Sequence, residues 1–211
     1  MESPTPYYLK MLENLTHARK IVHRVDPGEC GSDLQHLKLR SYVLLCHSVI
    51  EEYIEDLGLG IAMASRKRFL DDGIISKSLV GLVTAKVLDE VKRERAKSKI
   101  GLDLVRNLQI FSEEAFNQYR SGILANHGIK PENLSNIFVP IGFDPQQVDL
   151  SLVNALKSLG EKRGGLAHKF AIRQELTLSA FETDLTAIKR DLILFDEEAC
   201  RCLFNGMAVA T

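Results

Sequence analysis

The stretch LKLRSYVLLCHSVIEEYIEDL, residues 37–57, decides the fold. Its apolar residues Leu37, Tyr42, Val43, Leu45, Cys46, Val49, Ile50, Tyr53, Ile54 and Leu57 recur at helical spacing and wrap much of a helix's girth. A helix that is apolar on most sides belongs in the middle of a protein, surrounded by others. Asp33 is placed to cap its start. Gly58 and Gly60 are expected to bend it before it continues over Ile61–Phe69.

Outward from this helix the same period governs both flanks. Leu9, Leu12, Leu15, Ala18, Ile21 and Val22 form an earlier amphipathic helix that stops near Asp26-Pro27-Gly28. Beyond the turn at Asp71-Asp72-Gly73, Ser76 caps a third helix carrying Leu79, Leu82, Val83, Val87 and Val91. Its end is a basic run, Lys92–Lys99, read either as cations favoured by the helix dipole or as a surface that tracks RNA. A fourth helix, from Leu102 to Ile123, ends around Asn126-His127-Gly128. The Pro- and Gly-punctuated connector Ile129–Pro145 follows, with a short helix at Pro131–Ile137. A fifth helix, Val148–Lys162, and a last one, Leu176–Leu203, complete the pattern. The expectation is an all-α bundle of about six helices, one domain over residues 1–211, with the second, fifth and last helices at its core. Residues 76–127 read either as an inserted helical hairpin over a site or as a thickening of the bundle.

The chain has 211 residues, 45% hydrophobic and 26% charged, ordinary values for a globular protein. With 27 basic and 28 acidic residues the net charge is −1, so any nucleic-acid site must be a local patch. The N-terminus lacks a basic-then-apolar secretory pattern, and no apolar stretch is long enough to span a bilayer. A cytoplasmic location without membrane attachment is the expectation. Cys30, Cys46, Cys200 and Cys202 form no CxxC pair and read as reduced packing thiols. His17, His23, His36 and His127 have no ligand spacing with carboxylates or thiols, so neither a metal nor a cofactor is expected. There is no phosphate-binding glycine loop, serine triad or dinucleotide fingerprint.

The segment that points to chemistry is Arg163-Gly164-Gly165-Leu166-Ala167-His168. Histidine exchanges a proton near neutral pH, and arginine is a permanent planar cation suited to phosphate oxygens. On an unbroken helix, residues five apart project about 140° from each other. They meet on one phosphate only if Gly164-Gly165 unwinds the turn or a second subunit supplies a group. Lys162, Lys169 and Arg173 add positive charge for an RNA backbone, or are solvated surface. Glu51, on the apolar helix, either pairs with Arg163 or points to solvent. His47, one turn earlier, joins that network or packs. The plain alternatives are a structural salt bridge for Arg163 and a packing role for His168.

Three features in order resemble the HEPN superfamily of helical ribonuclease and nucleotide-binding domains. Val49–Glu55 is similar to the family's apolar helix with an embedded glutamate. Asn133–Gly142 resembles the connector before the active helix in the RiboL-PSP-HEPN branch. Arg163–His168 matches the signature of an arginine, four to six residues, then a histidine. The resemblance covers residues 5–203 and implies a HEPN-like bundle acting as a metal-independent endoribonuclease. It further implies a homodimer with two motifs facing across the two-fold axis, Arg163 and His168 as catalytic groups, and 2′,3′-cyclic phosphate ends. Its implied partners are RNA and a cognate antitoxin or anti-phage defence protein. Two positions depart from the family pattern. Gly164 stands where an Asn, Asp or His usually follows the arginine, and Ala171 stands where some HEPN toxins carry a modified tyrosine. The rival readings are a weak RNA- or nucleotide-binding module and a structural helical dimer.

Overall fold

The computed structural model describes residues 1–92, 97–145, 149–168 and 176–204, with residues 97, 98, 167 and 168 described by their backbone alone. Every regular element among the described residues is helical. They are α1 (Pro6–Arg19), α2 (Asp33–Asp72), α3 (Lys77–Lys92), α4 (Lys97–Arg106), α5 (Leu108–Leu124), α6 (Pro131–Phe138), α7 (Leu150–His168) and α8 (Leu178–Arg201), with 3₁₀ turns at Lys20–Val22 and Val139–Ile141. Eight helices among the described residues therefore stand where about six were expected. The short helix at Pro131 is real, and the expected fourth helix is two. Asn107 divides it by leaving helical geometry and accepting the Ile110 N–H at 3.4 Å, so that it caps α5. Residues 93–96 of the basic run, and the tail from residue 205, lie outside the described residues.

α2 is one unbroken helix of 40 residues, not a bent pair. Ser32 rather than Asp33 caps it, accepting the Gln35 N–H at 3.4 Å. It closes on Gly73 at φ +69°, whose N–H returns to the Arg68 and Phe69 carbonyls. Gly58 and Gly60 are places of close approach instead of bends. A Cβ on Gly58 would lie 2.6 Å from Ile137 Cγ2 and 2.7 Å from Tyr119 Oη, and one on Gly60 would strike the Tyr7 ring. α1, α3, α5, α6, α7 and α8 all pack on α2. One apolar cluster runs from Tyr8 to Leu203 and takes in Leu82, Ala115, Tyr119 and Ile123 of the middle helices. α3 rests directly on the connector: a Cβ on Gly81 would meet Pro140 O at 2.7 Å and Gly142 N at 2.8 Å.

Two helix ends differ from the pattern in the sequence. α1 stops at Arg19 and passes into the 3₁₀ turn, short of Asp26. α7 runs on past Lys162 through both glycines to His168.

Asp196 ties three helices together in the interior. Its carboxylate is fully buried and accepts from Thr5 N at 3.0 Å, Thr5 Oγ1 at 2.7 Å and Tyr53 Oη at 3.1 Å. Thr5 is itself the cap of α1, so α8 fixes where α1 begins. Burial, then the Asp196 charge, pushes the Tyr53 hydroxyl well above its ordinary pKa and keeps it a donor. Asp196→Ala leaves these donors without their acceptor and is expected to cost about 3 kcal/mol. Urea unfolding should show a lower midpoint at unchanged slope; a cost below about 0.5 kcal/mol would rule out this role.

Candidate functional site

The enclosed helix carries a polar stripe that faces α7 and the end of α5. His47, Glu51 and Glu55 follow at four-residue steps and therefore share a face of α2. His47 is only 2% exposed, and its Nδ1 stands 3.6 Å from Glu51 Oε2, too far for a hydrogen bond. Nδ1 has no hydrogen-bond partner among the described residues. Burial first, and the Arg163 charge second, lower the His47 pKa to about 4. The imidazole is therefore neutral at pH 7, and its contact with Glu51 is not an ion pair there. One step on, Glu55 Oε1 accepts from Asn126 Nδ2 at 2.8 Å. Burial pushes the Glu55 carboxyl upward; the Asn126 bond opposes this and the Glu51 charge adds to it.

α7 brings Arg163 to this stripe. The side chain is exposed, yet its charge reaches His47. No Arg163–Glu51 ion pair forms among the described residues, so of the two readings of Glu51 the pairing is not the one found; the Arg163 charge acts on His47 instead. Gly160, Arg163 and Gly164 lie on one face of α7. A Cβ on Gly160 would sit 3.2 Å from Lys130 Cγ and 3.8 Å from its Cε, so the Lys130 stem crosses α7 one turn before Arg163. Arg40 Nη2 donates to Leu166 O at 2.8 Å, satisfying a carbonyl in the last turn of the helix.

The glycine pair does not unwind. Gly164 and Gly165 are helical, and a Cβ on either would meet nothing within 4 Å. Positions 163 and 168 of one chain therefore stand about 140° apart around the axis of α7. The backbone of His168 ends α7, while its side chain, Lys169 and Arg173 lie outside the described residues. Lys162 is engaged with Asp184 at 2.6 Å in a solvent-exposed pair. Such pairs are weak and can be displaced by a stronger anion.

Cys46 and Cys200 are held at about 12 by burial, which removes them as thiolate nucleophiles. Among the described residues no three His, Cys, Asp or Glu side chains gather to hold a metal ion. No described helix is long and apolar enough to cross a membrane.

This arrangement can be set beside known proteins. The sequence model of the RiboL-PSP-HEPN family matches residues 11–200, which include the α2 stripe and all of Arg163–His168. The chain belongs to the RiboL-PSP-HEPN family. No curated protein and no solved structure matches it.

In this RiboL-PSP-HEPN domain, sequence reasoning missed Arg40, Lys130, Glu55 and Asn126. Only Lys130 had a local signal, since Pro131 at the first helical position marks residue 130 as a cap. Nothing in the chain's order places its stem on α7.

The His47 pKa gives a test. The unfolded chain takes up this proton near pH 6.5 and the folded chain only near pH 4. The stability gained by keeping the ring neutral is thus complete above pH 6.5 and is lost as the pH falls towards 4. In an NMR titration the His47 ring proton should show a midpoint near pH 4. Arg163→Gln should raise that midpoint while leaving it below 6.5, because burial is the larger cause. An unmoved midpoint would mean that the guanidinium does not act on His47.

Proposed function

We propose that this RiboL-PSP-HEPN domain is a metal-independent endoribonuclease that works as a homodimer with a composite arginine–histidine site. The observation that carries this reading is the setting of Arg163. It is an exposed permanent cation on an unbroken helix, with no acid paired to it among the described residues and a neutral imidazole behind it. A guanidinium so placed has its fork available for two non-bridging phosphate oxygens.

In the proposed reaction one His168 imidazole accepts the proton of a ribose 2′-hydroxyl. The 2′-oxygen forms a bond to phosphorus and the bond to the 5′-oxygen breaks. The protonated imidazole of the second copy returns a proton to the leaving 5′-oxygen. Arg163 stabilises the charge that builds on the phosphoryl oxygens. The products are a 2′,3′-cyclic phosphate and a 5′-hydroxyl.

Two features support the dimer. The 140° divergence within one helix prevents a single chain from converging both groups on one phosphorus, and a two-fold partner supplies the missing ones. Gly164 and Gly165 each cost about 1 kcal/mol against alanine in a helix interior, and no described residue of their own chain requires them. Bare backbone there suits close approach from outside, by a partner helix or an RNA strand. Unrestrained RNA cleavage would harm the producing cell. A toxin or anti-phage setting with a cognate restraining protein therefore belongs to the same proposal, as does a cytoplasmic location.

A second reading rests on Gly164, where the family usually has a polar residue: the same fold binding RNA or a nucleotide without efficient cleavage. Incubation with total RNA in EDTA separates the two. Wild type should leave 2′,3′-cyclic phosphate ends, and Arg163→Ala and His168→Ala should each lower the rate by about 10²-fold or more. RNA binding without cleavage would favour the binding module, and neither activity would favour a structural dimer.

A further inference from the structure

A pocket of about 350 Å³ opens between α3, α5 and α6. Leu82, Ala115 and Ile137 give it an apolar wall, and Gln118, Asn126, His127, Asn133 and Asn136 give it a polar one. Its single lysine, Lys86, is already held by Glu90 at 2.9 Å and Glu114 at 3.0 Å. With that charge already compensated, the pocket offers an anionic ligand no unengaged lysine and suits an uncharged one.

The polar wall is arranged in two tiers. Asn126 and Asn133 are fixed: Asn126 donates to Glu55 and to Gly128 O at 3.0 Å and accepts from Asn133 Nδ2 at 2.9 Å. Asn133 Oδ1 in turn accepts the Lys130 N–H at 3.2 Å. Asn136 and His127 line the mouth, exposed, and make no hydrogen bond among the described residues. An amide offers one donor and one acceptor side by side, the pattern that pairs with the edge of a nucleobase. A volume at the small end of ligand pockets, with apolar walls for ring faces, fits one heterocycle.

The same residues lead from this pocket to Arg163. Glu55, bonded to Asn126, lies two turns of α2, about 12 Å, from His47, and His47 feels the Arg163 charge. Lys130 spans the gap, its backbone bonded to the asparagine wall and its stem lying across α7 one turn before Arg163. We propose that the pocket takes one unstacked nucleobase of the RNA strand, a few nucleotides from the phosphate held by Arg163, with Lys130 facing an intervening phosphate. Asn136 reads the base edge and so sets the cleavage context. The strand's course rests on the ribonuclease reading; the pocket's preference for a base does not.

The full-length protein is titrated with fluorescein-labelled tetranucleotides of A, C, G or U, 2′-O-methylated so that they cannot be cleaved, and affinity is read by anisotropy. One base should bind about tenfold tighter than the others, the discrimination that one good amide–base pair provides. Asn136→Ala, at an exposed side chain, should bring the four within about threefold of one another. Gly122→Phe obstructs the pocket from α5, where an added Cβ meets nothing within 4 Å, and should have the same effect without lowering the melting temperature. Arg163→Ala should keep the base preference. Equal binding of all four tetranucleotides by wild type, or a preference that survives Asn136→Ala, would overturn the proposal. Arg163-dependent cleavage without base preference would leave the nuclease reading standing and remove this one; a base preference lost in Asn136→Ala, with no cleavage of unmodified RNA, would do the reverse.

Discussion

Enclosure of α2 is the constraint from which the rest of the structure follows. The helix runs about 60 Å through the bundle, with six other helices laid against it. Its apolar residues need no partner beyond contact, but each polar group drawn inside with them must be compensated. His47 avoids a buried charge by remaining neutral, with its Nδ1 unbonded among the described residues, and Glu55 accepts from Asn126. Glu51 keeps part of its side chain in solvent. The candidate side chains gather along that stripe, where α2 meets polar neighbours from other elements.

α7 is held to the stripe by forces that its own sequence does not supply. Two consecutive glycines weaken a helix interior, yet α7 continues to His168. Packing of Leu159 and Leu166 into the core and the Arg40 bond to the Leu166 carbonyl hold its last turns. The result is a rigid mount for Arg163 with open backbone beside it. A neutral His47 suits that mount, since a protonated ring there would repel the guanidinium. Lys130 and the asparagine pair extend the polar surface away from Arg163, towards the pocket between α3, α5 and α6.

Much of this was legible in the chain. The apolar residues of Leu37–Leu57 span most of a helical wheel, which is why α2 was readable as the central helix. The Arg163–His168 spacing, behind the Asn133–Gly142 connector, pointed to the family that the sequence comparison then established. Errors arose where local propensity and tertiary packing disagree. Gly58 and Gly60 look like breaks because glycine weakens helices in isolation; here they let Tyr7, Tyr119 and Ile137 approach the backbone. Of the two routes open at Gly164-Gly165, unwinding or a second subunit, the unbroken α7 removes the first. The division at Asn107 was hidden because apolar periodicity continues across it, whereas a cap depends on a single side-chain bond.

The order of residues alone determined the helical period, the buried course of α2 and the presence of an arginine and a histidine on one late segment. These are local properties, set by side-chain spacing and the geometry of one helix. Tertiary structure alone decided that His47 stays neutral beneath Arg163, that Lys130 crosses Gly160, and that Glu55 meets Asn126 from 71 positions away. Such contacts depend on how closely and at what angle helices pack, and that is fixed by the whole core acting together rather than by any stretch of it.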